Sequence, residues 1–244
     1  MAEARDRPAF YALRPGGWRD YWTLLHPPYT LWHLSYVAIG ASLAPQIHVR
    51  WLVETLVAFF LAMGISAHAL DELHGRPLRT RIPDGVLWAL AVAGLVGAIA
   101  LGIHGAFEVS PWIWVFILAG AALVVAYNLE LGGGAVHSDL WFALAWGAFP
   151  VLTAYVAQTG TLRVEAGLAA GACAALSAAQ RALSTPVRRL RRGVVRVRGE
   201  LELEDGSVAA VDADSLRAAP ERALRWLSVA VPMVAAALLT ARLV

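Results

Sequence analysis

The 244-residue sequence contains no lysine, a single cysteine and few charged residues, which make up 16% of the chain. Soluble domains of this size are about 25% charged, whereas 59% of this chain is hydrophobic, much of it in long runs. One cysteine excludes a disulfide-stapled scaffold, and the apolar runs exclude a disordered or collagen-like chain. The sequence therefore predicts an all-α integral membrane protein.

Seven apolar runs are long enough to form helices that cross the hydrocarbon core, which takes about 20 residues. They cover residues 29–47, 51–70, 85–104, 111–129, 139–158, 165–183 and 226–243. We therefore divide the chain into a polar arm, a main bundle, a polar loop and a C-terminal transmembrane helix. These four segments comprise residues 1–28, 29–183, 184–225 and 226–244. In the arm, Trp18, Tyr21 and Trp22 predict a short helix at the membrane interface.

The arginines are distributed unevenly between the two sides of this predicted bundle. Sixteen lie in the arm, in the connection between the second and third runs, or in the 184–225 loop, and three lie on the opposite side. Loops rich in arginine stay in the cytoplasm. We therefore expect a cytoplasmic N-terminus and a cytoplasmic 184–225 loop, in a bacterial or archaeal plasma membrane.

The 184–225 loop carries its own pattern of secondary structure. Residues 194–203 alternate like a β-strand, 204–207 have the composition of a turn, and 208–211 return as a second strand. A charged helix is predicted to begin at Asp214-Ser215 and to lead into the last apolar run. The loop is thus expected to be a cytoplasmic β-hairpin insert, too short to be an independent domain.

Most ionisable residues near the spans gather at the predicted cytoplasmic ends of the second, fourth and sixth runs. His68, Asp71 and Glu72 are spaced to share one face of a helix, and carboxylates beside arginines suit a Mg²⁺ ion that holds a phosphate. Two alternatives stay open: a solvated helix end, in which Asp139 caps the fifth helix, or a transition-metal site. The residues available for such a site are His68, Glu72, His74, Glu130, His137 and Asp139.

Three stretches resemble the UbiA superfamily of intramembrane prenyltransferases, most closely its naphthoate-prenylating branch. The first is His26–Leu31, followed by Gly40-Ala41. The second, Ala67–Asp71 followed by Arg76–Ile82, is similar to the first Asp-rich motif of that family. The third runs from Tyr127-Asn128 through Asp139 to Gly147–Gly160 and is the most specific.

The resemblance implies a UbiA-like helical bundle that acts on a prenyl diphosphate held by Mg²⁺, either by transferring the prenyl group to a lipophilic acceptor or by cyclising it. Asp71, with Glu72 in a shifted register, is the expected metal ligand. His68, Asp71, Glu72 and Asp139 are the expected catalytic residues. The residues expected to contact the substrate are Arg76, Arg79, Tyr127, Asn128, His137, Tyr155, Gln180, Arg181, Arg188 and Arg189.

The chain departs from this family where a second Asp-rich motif would follow the sixth run. Arg181, Arg188 and Arg189 stand there instead, and arginine binds phosphate directly and bidentately. We expect an arginine clamp facing one Mg²⁺ ion at Asp71, unless these arginines serve only topology and lipid headgroups. The alternative function is a catalytically degenerate protein that binds an isoprenoid lipid, or a partner protein through the 184–225 loop. Membrane lipids, and no nucleic acid, are the other expected partners.

Overall fold

The computed structural model describes residues 7–244, so the first six residues of the predicted arm, including Arg5, lie outside the described residues. Residues 7–244 form a helical bundle with a small β-hairpin. The helices are α1 (Trp18–Leu24), α2 (Pro27–Ser42), α3 (Val49–Leu73), α4 (Asp84–Glu108), α5 (Ile113–Asn128), α6 (Asp139–Thr159), α7 (Val164–Arg192) and α8 (Ala213–Leu243), and the strands are β1 (Gly199–Glu202) and β2 (Val208–Val211).

Four helices, α3, α4, α6 and α8, are long and apolar enough to cross a membrane. Helix α5 is equally apolar but spans 16 residues. The membrane character expected from the composition is therefore supported. A helix also lies at each of the other predicted spans, but the seven-span arrangement stays a prediction because length and composition support only four.

Helix α2 lies at the centre of one half of the bundle and packs against α3, α6 and α8, while α7 packs against α6 and α8. Helices α4 and α5 pack against α3 on the other side. The fully buried Trp32 and Tyr36 anchor α2 in this packing. Glycine permits close contact between helices: a Cβ atom at Gly147 of α6 would lie 2.6 Å from the Cys173 carbonyl oxygen of α7.

Two of these four helices contain a π-helical segment, Phe60–Ala67 in α3 and Leu144–Ala148 in α6. Such segments shift the face that the following turn presents, and they are frequent at functional sites. The α3 segment ends immediately before His68, and the α6 segment contains Trp146. Both segments therefore border the same end of the bundle.

The β-hairpin predicted in the 184–225 loop is confirmed. Strands β1 and β2 pair antiparallel, with Glu200 opposite Ala210. Gly206 occupies the turn at φ 77°, a left-handed conformation that glycine adopts readily. The first strand is shorter than the alternation over residues 194–203 predicted, because pairing with the short β2 limits it to four residues.

Helix α8 begins at Ala213, next to the predicted start, and continues without interruption into the last apolar run. Asp212 and Ser215 form a capping box, in which the Asp212 carboxylate accepts from Ser215 N at 2.8 Å. Helix α7 in contrast continues nine residues beyond the predicted end at residue 183, through Pro186 to Arg192. The extension carries Ser184, Arg188 and Arg192, which line the cavity described below.

Candidate functional site

A polar cavity of about 350 Å³ lies at one end of the bundle. Its walls come from the first residues of α2, the last turns of α3 and α5, the start of α6 and the end of α7. The described residues that line it are His26, Tyr29, His33, Met63, Ala67, His68, Asp71, His74, Pro77, Tyr127, Asn128, Glu130, His137, Phe142, Trp146, Gln180, Arg181, Ser184, Arg188 and Arg192. Eight of the predicted site residues are among them: His68, Asp71, Tyr127, Asn128, His137, Gln180, Arg181 and Arg188.

Helix α7 forms a polar wall because its lining residues recur every four positions. Gln180, Ser184, Arg188 and Arg192 lie on one face of the helix. At 1.5 Å per residue the row rises by about 18 Å. The wall is therefore neutral at the deeper Gln180 end and cationic at the Arg188 and Arg192 end.

Helix α2 supplies the facing wall through His26, Tyr29 and His33. The His26 ring stacks on the His68 ring of α3 with 4.1 Å between centroids. Its Nε2 atom is buried and has no hydrogen-bond partner within residues 7–244. Burial lowers the pKa of His26 well below 6.5, with smaller contributions from His68, Arg192 and Arg188. His26 is therefore neutral at pH 7.

The described part of the N-terminal arm passes beside the cavity mouth. Arg192 Nε donates to the Pro8 carbonyl at 3.3 Å, and Arg191 donates to the Arg7 carbonyl at 3.1 Å. The Tyr11 ring lies against the His26 ring, with 5.3 Å between centroids. Burial raises the pKa of the Tyr11 phenol and lowers the pKa of the Arg192 guanidinium. The arm thus holds Arg192 in place at the mouth.

Glu72, an expected metal ligand and catalytic residue, lies outside the cavity that Asp71 lines. Its carboxylate is fully buried and accepts from Leu78 N at 2.9 Å, from Thr80 N at 2.8 Å and from Thr80 Oγ1 at 2.9 Å. The glutamate therefore fixes the loop after α3. Three donors already occupy its oxygens, which leaves this side chain a structural role.

Arg76 and Arg79 also belong to this loop and do not line the cavity. Arg76 donates to the Ile82 carbonyl at 2.6 Å and pairs with Asp84 at the start of α4. Arg79 is exposed and has φ 56°, an uncommon left-handed conformation for a non-glycine residue. Neither guanidinium is placed to bind a ligand in the cavity.

Asp139 forms an ion pair with Arg181 at the cavity edge, and its side chain is 81% exposed. Arg181 also donates to the Tyr127 hydroxyl and lies over the Phe142 ring, 5.3 Å from its centroid. The cap of α6 is Ser138, which accepts from Trp141 N at 3.3 Å, so the alternative of Asp139 as the N-cap is wrong. Asp139 neutralises a cavity arginine.

Two predicted substrate-binding residues lie elsewhere. The Tyr155 hydroxyl donates to Glu165 at 2.6 Å, beside a separate polar pocket that His48 and Gln158 also line. Arg189 is exposed, one position away from the cavity-facing Arg188. In its place Arg192 reaches the cavity, because four residues complete about one helical turn.

The donor set does not fit the Mg²⁺ site that the resemblance implies. Among residues 7–244, no group of three or more His, Cys, Asp or Glu side chains could hold a metal ion, which applies equally to the transition-metal alternative. Asp71 and Glu130 are the only carboxylates among the described lining residues. Glu130 lies 3.9 Å from His74 and 3.8 Å from His137 at the open edge.

An apolar crevice of about 110 Å³ adjoins the polar cavity. It runs between α3, α4, α5 and α6, and Phe59, Ile99 and Phe116 are among its lining residues. Met63 and Trp146 line both the crevice and the cavity. These two buried side chains therefore form the boundary between a polar compartment and an apolar one.

Sequence reasoning missed several lining residues: His26, Tyr29, His33, Met63, Phe142, Trp146, Ser184 and Arg192. Two helical spacings could have found some of them. His26, Tyr29 and His33 follow one another at spacings of three and four residues, and Arg192 follows Arg188 by four. Met63 and Trp146 had no such signal, because each lies in a π-helical segment.

No family model, curated protein or solved structure matches the chain.

Proposed function

We propose that the chain is a divergent UbiA-like membrane enzyme that acts on a prenyl diphosphate. The diphosphate occupies the polar cavity and the prenyl chain extends into the apolar crevice. The observation that carries this proposal is that Met63 and Trp146 line both compartments, so the cationic cavity and the apolar crevice lie on either side of the same two side chains. An amphipathic ligand with an anionic head and an isoprenoid tail has that distribution of polarity.

The lining residues also support the chemistry of diphosphate departure. When the bond between the first prenyl carbon and oxygen breaks, both electrons stay on the diphosphate, and cationic groups stabilise that charge. The allylic cation that remains is then near the aromatic rings of Tyr127, Phe142 and Trp146, where Tyr127 and Trp146 lie 5.6 Å apart. Aromatic faces attract cations. A lipophilic acceptor, or one of the chain's own double bonds, captures this cation by forming a new bond to carbon, and loss of a proton from the resulting cation gives the neutral product.

A second candidate function is binding without turnover: a catalytically degenerate UbiA-like protein that holds an isoprenoid lipid or a partner protein. The poor metal donor set favours it, since the described residues offer no cluster of three ligands. The two candidates differ in whether a diphosphate leaves its prenyl chain in the cavity. Release of pyrophosphate from a prenyl diphosphate therefore separates them.

Binding to the crevice can be tested with a matched pair of variants on α4. Ala98 lines the crevice, whereas Ala100 is exposed on the same helix. Ala98→Phe is expected to weaken binding of geranylgeranyl thiolodiphosphate at least tenfold and to leave inorganic pyrophosphate unaffected. Ala100→Phe is expected to change neither. Equal binding of both ligands to wild type and Ala98→Phe would contradict the proposed location of the chain.

We also propose the finer arrangement of seven spans, with the N-terminus and the 184–225 loop in the cytoplasm. The sixteen-to-three arginine asymmetry supports it. A cysteine at Ser207, at the tip of the hairpin, is expected to react with an impermeant maleimide only after the cells are opened. Cys173 is buried and would be replaced by alanine. Labelling in intact cells would show that the hairpin lies outside the cell and would contradict the proposed orientation.

A further inference from the structure

The cationic end of the cavity has an excess of positive charge. Within the described residues, Arg188 and Arg192 have no ion-pair partner, whereas Arg181 is neutralised by Asp139. Asp71 is the carboxylate that interacts electrostatically with both. Arg192 also interacts with Glu72, but neither carboxylate forms an ion pair with Arg188 or Arg192 within the described part of the chain. Placing unpaired cations in a partly buried site is unfavourable unless an anion joins them.

A divalent metal ion does not relieve this excess. A Mg²⁺ ion at Asp71 would bring two further positive charges beside Arg188 and Arg192, and like charges at short distance repel. The other residue expected to hold the ion, Glu72, has its oxygens committed to Leu78 and Thr80. A diphosphate without a metal ion instead supplies the missing negative charge.

The geometry of α7 suits direct recognition of a diphosphate. Arg188 and Arg192 are four residues apart on one helix face, a rise of about 6 Å. Each guanidinium can bind two phosphate oxygens in a fork. The backbone of the arm holds Arg192 at its Nε atom. The His26 ring lines the same cavity, and its buried Nε2 has no hydrogen-bond partner among the described residues.

We infer that the cavity binds the diphosphate group directly through Arg188 and Arg192, without a metal ion. This inference rests on the proposed function, and it replaces the metal-bridged headgroup site implied by the resemblance with a site of arginines. Asp71 is then a neighbouring carboxylate that limits anion affinity instead of a ligand that creates it.

The test is a binding titration of the full-length protein in detergent with farnesyl thiolodiphosphate, once in Mg²⁺ and once in EDTA. Metal-free recognition predicts equal or tighter binding in EDTA, because Mg²⁺ competes for the same phosphate oxygens. Loss of binding in EDTA would overturn the inference and leave the proposed function standing. Absence of binding under both conditions would overturn both. This comparison uses wild-type protein, so no variant has to fold.

Substitutions supply the second arm of the test. Arg188→Ala and Arg192→Ala are each expected to weaken binding at least tenfold, while Arg189→Ala, exposed on the same helix, changes it less than twofold. Asp71→Asn is the sharpest variant, because the two mechanisms predict opposite signs. Metal-free binding predicts an affinity equal to or severalfold above wild type, and a metal-bridged site predicts a loss. A loss in Asp71→Asn with an unchanged thermal midpoint would overturn the inference.

Discussion

Arg181 on α7 forms an ion pair with Asp139, the first residue of α6. The two residues join helices at the edge of the cavity, and Arg181 also contacts Tyr127 and Phe142 of two neighbouring elements. Both charges were expected to serve ligand binding. Their pairing instead gives Arg181 a role in holding the cavity wall.

The Arg181–Asp139 pair should contribute little by itself, since Asp139 is 81% exposed. A double-mutant cycle with Asp139→Asn and Arg181→Ala is expected to give a coupling energy of about 0.2–1 kcal/mol, as for other exposed pairs. Arg181→Ala alone should cost more, about 1.5–3 kcal/mol, because the charged hydrogen bond to Tyr127 is also lost. Free energies of unfolding, measured in detergent for wild type, the two single variants and the double variant, give both values. A coupling above this range would mean that the pair is shielded from solvent.

Glu72 is expected to stabilise the loop after α3. In Glu72→Ala the backbone N–H groups of Leu78 and Thr80 lose their acceptor inside the protein, and each unsatisfied buried donor costs about 1–3 kcal/mol. The thermal midpoint should therefore fall by several degrees. The exposed Glu202 provides the control, and Glu202→Ala should leave the midpoint unchanged. A stable Glu72→Ala protein that has lost affinity for the diphosphate would restore Glu72 to the site.

Stability should fall as the pH drops below about 6.5, because the pKa of His26 is lowered well below that value in the folded protein. The unfolded chain takes up a proton in this range and the folded chain does not, so protonation favours unfolding. One such group contributes at most about 1.4 kcal/mol per pH unit. Unfolding free energies at pH 7.5 and 5.5 should differ less in His26→Asn than in wild type. An equal loss in both proteins would remove His26 as a contributor.

The sequence predicted the elements of this fold because their signals are local. Apolar runs mark the helices, and the alternation on either side of Gly206 marks the hairpin. The predicted end of α7 at residue 183 marks the end of the apolar run, yet the helix continues through Pro186 to Arg192. Arg189 was expected in the site because it lies where the resemblance puts a second Asp-rich motif, a position that says nothing of the helix face.

The direction of the acidic side chains could not be predicted from spacing. Asp71 and Glu72 are adjacent, so on a helix they point about 100° apart, and only the loop after α3 determines which one is enclosed. The hydrogen bonds from Leu78 and Thr80 draw Glu72 away from the cavity. The same loop is also tied to α1, where the Asp20 carboxylate accepts from Arg81 N at 3.1 Å, a long-range contact that no local pattern encodes.

The most direct test of the proposed function is a structure of the protein with farnesyl thiolodiphosphate bound. We expect both phosphorus atoms near the guanidinium groups of Arg188 and Arg192, and the prenyl chain passing between Met63 and Trp146 into the crevice. No metal ion should lie between the phosphates and Asp71. A diphosphate bound at the hairpin surface, or one held by a metal ion at Asp71, would contradict this account of the site.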